Sequence, residues 1–264
     1  MGEDTIKLKS GFMKELAIIT GGGTGIGKAL ALELAGNQQM DVMIVGRRKE
    51  PLQETVALHK NKISFCTANV ATVEGRNKIL GAIENDVVVK YLVHNAAVLH
   101  PVKRIEQLSL EEWRNHQAIN VEAPLFLTQT LLSKMNYSRI LNISSGAAHR
   151  ALAGWAAYCS SKAALYMLYM VMNAEFKNKN ILVGSVRPGV VNTPMQSLLR
   201  QSDPIDFPDL PLFIQYNEKG KLIPVEIVAQ FLRYILMKTD DSQFIDKEWD
   251  IYRDYTALDE KYKR

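Results

Sequence analysis

The sequence predicts an α/β protein, a single domain built on a doubly wound parallel sheet with helices on both faces. Three observations support this prediction. Strand-like and helix-like segments alternate along the 264 residues, which is the pattern of a parallel sheet. A glycine-dense turn joins the first strand-like segment to the first helix-like one. No Pro/Gly/Ser-rich linker, internal repeat or low-complexity segment divides the chain.

β-prone apolar runs predict the strands, and runs of helix formers between them predict the helices. The predicted strands lie near 15–20, 41–46, 62–66, 90–94, 138–143, 181–186 and 249–252. The predicted helices lie near 25–36, 49–59, 73–84, 110–134, 156–178, 194–200 and 224–237. Ligands of such sheets bind beyond the carboxyl ends of the strands, so candidate functional residues are sought there.

Composition narrows the classes of function. The net charge of +4 is spread along the chain, so a nucleic-acid partner is not expected. Cys66 and Cys159 lack metal or disulfide spacing, which favours a reducing, cytoplasmic location. No apolar run reaches the roughly 18 residues that a membrane span needs, so no membrane partner is expected either. Residues 1–12 lack a signal-type apolar core and are expected to be a loosely held extension.

The segment IITGGGTGIGKAL, residues 18–30, has the chemistry of an anion-binding turn. Glycines permit positive φ and a close approach of backbone N–H groups to an anion, and a helix start follows. Gly22, Gly27 and Lys28 almost match a triphosphate-binding loop, but Ala29 stands where that loop needs a hydroxyl for magnesium. The alternative pattern, TGxxxGIG, can hold a dinucleotide. We prefer this second interpretation, which makes the predicted sheet Rossmann-type.

Two arginines follow the second predicted strand. A site for NAD usually places an acid about twenty residues past the glycines, whereas this chain has Gly46 there, followed by Arg47 and Arg48. A carboxylate repels a 2′-phosphate, and a guanidinium grips it through paired hydrogen bonds. The two arginines therefore favour NADPH over NADH. The alternative is a solvated, charged helix start.

Small or amide residues follow the third and fourth predicted strands. Asn69, in TANVAT, can bond the adenine edge of a dinucleotide. Asn95, in HNAAVL, opens a stretch of small residues that lets a ribose lie close. Asn is also common in ordinary turns, so each residue carries little weight alone.

Tyr158 and Lys162 lie four residues apart in a helix-prone stretch and so share one helix face. A nearby ammonium favours the phenolate and lowers the phenol pKa from about 10, which predicts a useful proton donor. Ser145, just past a predicted strand, can hold a substrate oxygen. A Tyr and a Lys at this spacing also occur by chance, as a buried ring and a solvated amine. The glycine turn and Ser145 favour the catalytic interpretation.

Together these motifs resemble those of the short-chain dehydrogenases/reductases. TGGGTGIG is similar to that family's cofactor loop, and HNAA is similar to its Asn-Asn-Ala-Gly segment. NISS followed by YCSSK resembles its active-site Ser and Tyr-x-x-x-Lys, and RPGVVNTPM resembles its Pro-Gly segment. The match covers about residues 14–253. Within the family, GWAAYCSSKAALYML and TPMQSLLR most resemble sepiapterin reductases and benzil-type diketone reductases, which reduce vicinal dicarbonyls with NADPH.

The resemblance implies a role for each matching residue. Tyr158 is the implied acid–base group, Lys162 lowers its pKa and holds the nicotinamide ribose, and Ser145 orients the substrate carbonyl. Asn120, in AINVEAP, matches a helix asparagine that holds a water in the proton relay. No metal is implied. The implied NADPH contacts are Gly21, Gly23, Thr24, Gly25, Ile26, Gly27, Arg47, Arg48, Asn69, Val70, Asn95, Ala96, Lys162, Pro188, Val191 and Thr193.

Two larger features concern the substrate and the subunit. Dense prolines over 201–224 predict an irregular segment, and we expect residues 194–224 to form a substrate lid; a variable surface loop is the alternative. The long apolar helices over 110–134 and 156–178 indicate subunit packing. The family resemblance implies a homodimer or homotetramer.

The predicted function is NADPH-dependent reduction of a small-molecule carbonyl substrate, a ketone or vicinal dicarbonyl, with Tyr158 as the proton donor. Two alternatives remain. One is a sensor that binds NADP(H) without turnover, although such a protein is expected to have lost the Tyr, Lys or Ser of the site. The other is an alcohol dehydrogenase that works in the oxidative direction, which the arginines oppose only indirectly.

Overall fold

The structure, a computed structural model, describes residues 14–37, 40–176 and 178–263. The predicted extension over 1–12 lies outside these residues. The strands of the described chain are β1 (Lys14–Thr20), β2 (Asp41–Gly46), β3 (Ile63–Thr67), β4 (Val87–His94), β5 (Ser138–Ile143), β6 (Ile181–Arg187) and β7 (Trp249–Asp250). They form one sheet in the order β3-β2-β1-β4-β5-β6-β7, in which every pairing is parallel.

Helices cover both faces of this sheet, which confirms the predicted fold class. The helices in the described residues are α1 (Gly25–Asn37), α2 (Lys49–Ala57), α3 (Val73–Gly81), α4 (Leu110–Gln117), α5 (Ala123–Leu131), α6 (Ala156–Phe176), α7 (Pro194–Leu199), α8 (Leu210–Glu218), α9 (Val225–Met237), α10 (Asp241–Asp246) and α11 (Ile251–Asp254).

The strands are apolar on both faces because each face packs against helices. Successive residues of a strand point to opposite faces. In β1, Ala17 and Ile19 join a core cluster that includes Leu232 of α9, whereas Ile18 joins a second cluster that includes Leu127 of α5. Burial on both faces explains the continuous apolar runs that predict these strands.

The order of the strands places a crevice beside β1. The chain winds outward from β1 through β2 to β3 and then crosses back to β4 on the other side of β1. At such a reversal, the loops after the two neighbouring strands diverge to opposite faces and leave space for a ligand. The glycine turn follows β1, so the fold brings it to this crevice.

One predicted helix is interrupted in the structure. The expected single helix over 110–134 is instead α4 and α5, with a π-helical turn over Ala118–Glu122 between them. In this turn, the N–H of Ala123 bonds to the carbonyl of Ala118, five residues back. Pro124 supplies the physical reason, because it has no N–H to give to the Asn120 carbonyl in an α-helical pattern.

The predicted lid is more regular than expected. The segment over 201–224 was expected to be irregular, but it contains α8. Its Pro211 lies in the first turn, where a missing N–H costs no intrahelical hydrogen bond and a fixed φ suits the helix. Proline density is therefore a poor guide here, since position within the helix decides its effect.

Some apolar side chains of α6 face outward. Met167, Met170 and Val171 are 55%, 46% and 43% exposed. They lie three and four residues apart and so form one stripe along the helix. Subunit packing against this stripe stays a prediction. No helix among the described residues is both long and apolar enough to span a bilayer.

Candidate active site

A cavity of about 610 Å³ lies at the carboxyl ends of the strands, a size typical of a small-molecule site. Nearly all the predicted site residues line it, including Ser145, Tyr158 and Lys162. Only Gly27 and Asn120 of the predicted set do not. The cofactor contacts implied by the sequence that line this cavity are Gly21, Gly23, Thr24, Gly25, Ile26, Arg47, Arg48, Asn69, Val70, Asn95, Ala96, Lys162, Pro188, Val191 and Thr193.

The glycine turn needs its glycines for two reasons. Gly21 and Gly25 have φ of +68° and +54°, a region that L side chains rarely adopt. A Cβ at Gly27 would lie 2.4 Å from the carbonyl oxygen of Gly21. Gly27 therefore allows α1 to close against the turn from behind, which explains why it does not line the cavity.

Two predicted cofactor amides are already engaged by the protein. Asn95 donates through Nδ2 to the carbonyls of Thr20 (2.9 Å) and Gly21 (3.2 Å), so its side chain holds the glycine turn in place. Asn69 accepts a hydrogen bond at Oδ1 from the backbone N–H of Ala71 (3.2 Å), which leaves its Nδ2 as the group for a ligand.

Arg47 and Arg48 lie at the β2 end of the cavity, and both are exposed. No described carboxylate pairs with either guanidinium. On the opposite wall, a Cβ at Gly25 would lie 3.3 Å from Cγ2 of Thr193, so that threonine faces the glycine turn. The cavity therefore extends from the unpaired guanidinium groups of Arg47 and Arg48, past the glycine turn, to the loop after β6.

Tyr158 and Lys162 lie together on the buried face of α6. The Tyr158 side chain is hydrogen-bonded to Ser145, and Lys162 donates to the carbonyl oxygen of Ile143 at 2.8 Å. Ser145 in turn accepts at Oγ from the backbone N–H of Ala147 (3.2 Å). The three residues that the sequence predicts as catalytic are thus brought to one wall of the cavity.

The predicted effect of Lys162 on the phenol was wrong for this structure. Burial raises the pKa of Tyr158 to about 12, although its hydrogen bond with Ser145 acts in the opposite direction. Burial also lowers the pKa of Lys162 to about 8. Desolvation disfavours the charged form of both groups.

Asn120 lies behind the cavity, where its side chain is hydrogen-bonded to other parts of the protein. Its Oδ1 accepts from the backbone N–H of Val98 (2.9 Å), and its Nδ2 donates to the Val98 carbonyl (2.9 Å). The same Nδ2 lies 2.8 Å from Nε2 of His116 and 3.2 Å from Oγ of Ser161. The amide therefore ties the loop after β4 to α4 and α6. Its role in a proton relay stays a prediction.

His116 is buried in this network and neutral. Its Nδ1 lies 3.1 Å from the His100 carbonyl, which can only accept, so Nδ1 carries the proton and Nε2 accepts from Asn120. Burial lowers its pKa, and the charge of Lys162 lowers it further. Nothing in the residues around His116 distinguishes this buried histidine from one on the surface.

An aromatic cluster forms the substrate end of the cavity, and the sequence analysis missed most of it. Trp155 stacks on Phe207 with ring centres 4.8 Å apart, and it meets Phe213 and Tyr158 at 5.6 and 5.1 Å. Leu199 packs into the same cluster. These residues come from the start of α6 and from the segment predicted as a lid, so that segment packs against the wall of the cavity that holds Tyr158.

A network of charged residues borders the same end of the cavity, and the sequence analysis did not predict it. His149 Nε2 lies 2.6 Å from Oε2 of Glu248, and Arg187 pairs with Asp250 at 2.9 Å. Arg187 and Asp250 are the last residues of β6 and β7. Their position at strand ends is the feature of the sequence that could have identified them as site residues. His149 also lines the cavity. No group of three or more potential metal ligands occurs among the residues the structure describes.

Comparisons with known proteins agree with this geometry. The family model described as short chain dehydrogenase matches residues 15–204. Benzil reductase ((S)-benzoin forming) of Bacillus subtilis is 33% identical over 243 residues, which cover 88% of this chain and 98% of the relative. Sepiapterin reductase of Mus musculus is 30% identical, covering 84% and 92%. The crystal structure of the KRED1-Pglu enzyme superposes with a TM-score of 0.83 at 26% identity, covering 89% and 100%.

The match to the family model extends over more than half of the chain, and the two relatives belong to the predicted subgroups. Both observations confirm the resemblance drawn from the motifs. The chain therefore belongs to the short-chain dehydrogenase family, whose oxidoreductases bind nicotinamide cofactors.

Proposed function

We propose that this protein is an NADPH-dependent carbonyl reductase that acts on aromatic ketones and vicinal dicarbonyls. The observation that carries the proposal is the single cavity that Ser145, Tyr158 and Lys162 share with the glycine turn. The same cavity is closed at its far end by Trp155 and Phe213. Apolar aromatic walls suit an aryl ketone, and the names of the benzil and sepiapterin reductases support a dicarbonyl substrate.

The residues at the β2 end of the cavity fit a nicotinamide dinucleotide with a 2′-phosphate. Gly21 and Gly25 leave the turn open where a Cβ would intrude, and α1 begins at Gly25 with N–H groups that lack helical partners. Arg47 and Arg48 are free cations that can take the extra phosphate. A reduced nicotinamide bound in this cavity would supply the hydride for the carbonyl carbon.

The protein's own residues handle the proton and the oxygen. With its pKa near 12, the Tyr158 phenol is fully protonated at neutral pH and can donate to the oxygen that gains charge as the carbonyl is reduced. Ser145 holds that oxygen by a hydrogen bond. Lys162, whose Nζ lies 5.7 Å from the centre of the phenol ring, stabilises the phenolate that remains.

Three functions are separated by one set of assays. We expect the absorbance of NADPH to fall in the presence of aromatic diketones, with much slower loss when NADH replaces NADPH. A rise in the unfolding temperature with NADPH, but no consumption with diketones, pterins, aryl ketones or steroids, would favour the sensor. Faster turnover with NADP⁺ and hydroxyketones than in the reductive direction at neutral pH would favour the oxidative alternative.

A further inference from the structure

The lid contributes one polar side chain to the cavity, and it is Gln196. Residues 194–224 are all described, and those among them that line the cavity are Pro194, Met195, Gln196, Leu199 and Phe213. The other four are apolar. A single carboxamide in an otherwise apolar wall is the usual form of a specificity group in a ligand site.

The backbone of Gln196 is fixed, while its side chain is not. Its N–H donates to Oγ1 of Thr193 (3.3 Å), the residue that caps α7. The side chain lies on the same helix face as Leu199 and is only 6% exposed. Its Oε1 is buried and finds no hydrogen-bond partner among the described residues. The amide is therefore held next to the cavity without being locked in one orientation.

The other cavity amides differ from Gln196. Asn95 and Asn69 are each bonded to nearby backbone groups, so their side chains serve the protein's own loops. A buried amide that lacks such a partner is unfavourable unless a ligand supplies one. The terminal torsion of a Gln is broad, so the amide can turn to present Nε2–H in place of Oε1.

We propose that Gln196 is the specificity-determining residue that donates from Nε2 to the second carbonyl oxygen of a vicinal dicarbonyl. This inference rests on the proposed function. Tyr158 and Ser145 take the carbonyl that is reduced, and Gln196 takes its neighbour. The hydrogen bond withdraws electron density from the second carbonyl, which makes the reacting carbon more electrophilic. It also fixes which of the two carbonyls faces Tyr158.

The test compares two ketones that differ by one oxygen. Benzil has the second carbonyl and deoxybenzoin (1,2-diphenylethanone) lacks it, whereas their aryl groups are the same. In Gln196→Met, a variant of nearly equal size, we expect kcat/KM for benzil to fall roughly 3- to 10-fold, as for the loss of one neutral hydrogen bond. For deoxybenzoin, which has no second carbonyl to accept this hydrogen bond, kcat/KM should change less than about 2-fold.

Two further variants make the result specific. Gln196→Glu keeps the size but puts a carboxylate near the carbonyl oxygen, so we expect a larger fall for benzil than Gln196→Met gives, again with a smaller effect on deoxybenzoin. It also serves if Gln196→Met does not fold. Leu198→Met places the same new side chain on the exposed side of α7, where Leu198 is 50% exposed, and should leave the ratio of the two ketones unchanged.

The outcomes are distinct. Equal losses on both ketones, or no loss on either, overturn the role of Gln196 and leave the carbonyl reductase intact. If the unmodified protein consumes NADPH with neither ketone, the proposed function itself fails and this inference fails with it. A benzil-selective loss in both Gln196 variants supports the proposal.

Discussion

The side-chain nitrogen of Lys162 lies 5.7 Å from the centre of the Tyr158 ring, and the Ile143 carbonyl holds it there at 2.8 Å. Both groups are buried on one face of α6. Burial moves their pKa values apart, to about 12 for the phenol and about 8 for the amine. At neutral pH the pair is therefore a protonated phenol beside an ammonium that titrates only a little above neutrality.

The Tyr158 hydroxyl is expected to be essential for turnover but not for cofactor binding. We expect Tyr158→Phe to lower kcat by roughly 10²- to 10⁴-fold, the usual worth of a positioned proton donor. The ring still packs against Trp155, so the dissociation constant for NADPH, measured by fluorescence titration, should change little. Tyr166→Phe removes a hydroxyl about two turns further along α6 and is the control. Near-normal turnover in Tyr158→Phe would contradict the mechanism.

Lys162 is expected to make stability depend on pH between about 8 and 10. Below pH 8 it is charged in both the folded and the unfolded chain, so the folded chain bears the full cost of a buried ammonium. As the pH rises from 8 toward 10.5, the folded chain releases the proton first, and the free energy of unfolding increases. Tyr158, whose pKa is raised in the folded chain, affects the free energy of unfolding only above about pH 10, where it lowers that free energy as the pH rises.

Urea unfolding at pH 7, 8, 9 and 10 measures this effect when the unmodified protein is compared with Lys162→Met. We expect the unmodified protein to gain about 2 kcal/mol relative to the variant between pH 8 and 10. The other titrating groups contribute equally to the free energy of unfolding of both proteins, so their contributions cancel in the difference. A difference that stays constant over this range would show that Lys162 has an ordinary pKa.

The cofactor end of the site was predictable because its signals are local. The turn before α1 requires glycines at fixed offsets, and the paired spacing of Tyr158 and Lys162 follows from the period of one helix. The role of Arg47 was predictable from its position directly after β2. Each of these patterns lies within a few residues of sequence, and the structure brings all of them to one cavity.

The substrate end was not predictable because its contacts join distant segments. Trp155, Phe207 and Phe213 come from different segments of the chain that meet only in the folded protein, and no periodicity in the sequence relates them. The pKa of Tyr158 was predicted in the wrong direction for a similar reason. Spacing shows that an amine is near, but only the packed structure shows how completely water is excluded from both groups.

Arg47 is expected to determine the choice of cofactor. Losing one charge-assisted contact with a phosphate costs about 1.5–3 kcal/mol, so Arg47→Ala should raise the dissociation constant for NADPH by roughly 10- to 100-fold. The value for NADH should hardly change, since that cofactor has no 2′-phosphate. Lys49→Ala removes an equal charge two residues away, outside the cavity lining, and is the matched control. Equal weakening by both variants would point to general electrostatics instead.

His116 is expected to stabilise the fold through Asn120. In His116→Leu, one N–H of the Asn120 amide loses its nearer acceptor and keeps only Oγ of Ser161 at 3.2 Å, and the His100 carbonyl loses its donor, which together should cost about 1–3 kcal/mol of unfolding free energy. His100→Leu changes an exposed side chain and keeps the backbone carbonyl that His116 uses, so its effect should stay within about 0.5 kcal/mol. Denaturant titration of both variants makes the comparison. Similar stabilities for the two would show that the buried network contributes nothing.

Phe207 is expected to hold the predicted lid, residues 194–224, against the wall of the cavity that contains Tyr158. Its ring is fully buried and stacks on Trp155, and the Arg104 guanidinium holds the neighbouring Ile205 carbonyl at 2.9 and 3.1 Å. Truncating a buried Phe costs about 3–5 kcal/mol, so Phe207→Ala should let α8 open far more often. Amide hydrogen exchange should accelerate in α8 by roughly 100-fold or more, while β1 exchanges as before.

Phe244→Ala removes an equally buried ring that packs on Gly184, far from the lid, and is the control for this experiment. It should lower global stability without a selective effect on α8. We also expect the KM for the ketone to rise in Phe207→Ala, because the aromatic end of the cavity loses its cover. If α8 exchanges at its original rate in Phe207→Ala, then the segment is a fixed part of the domain and does not act as a lid.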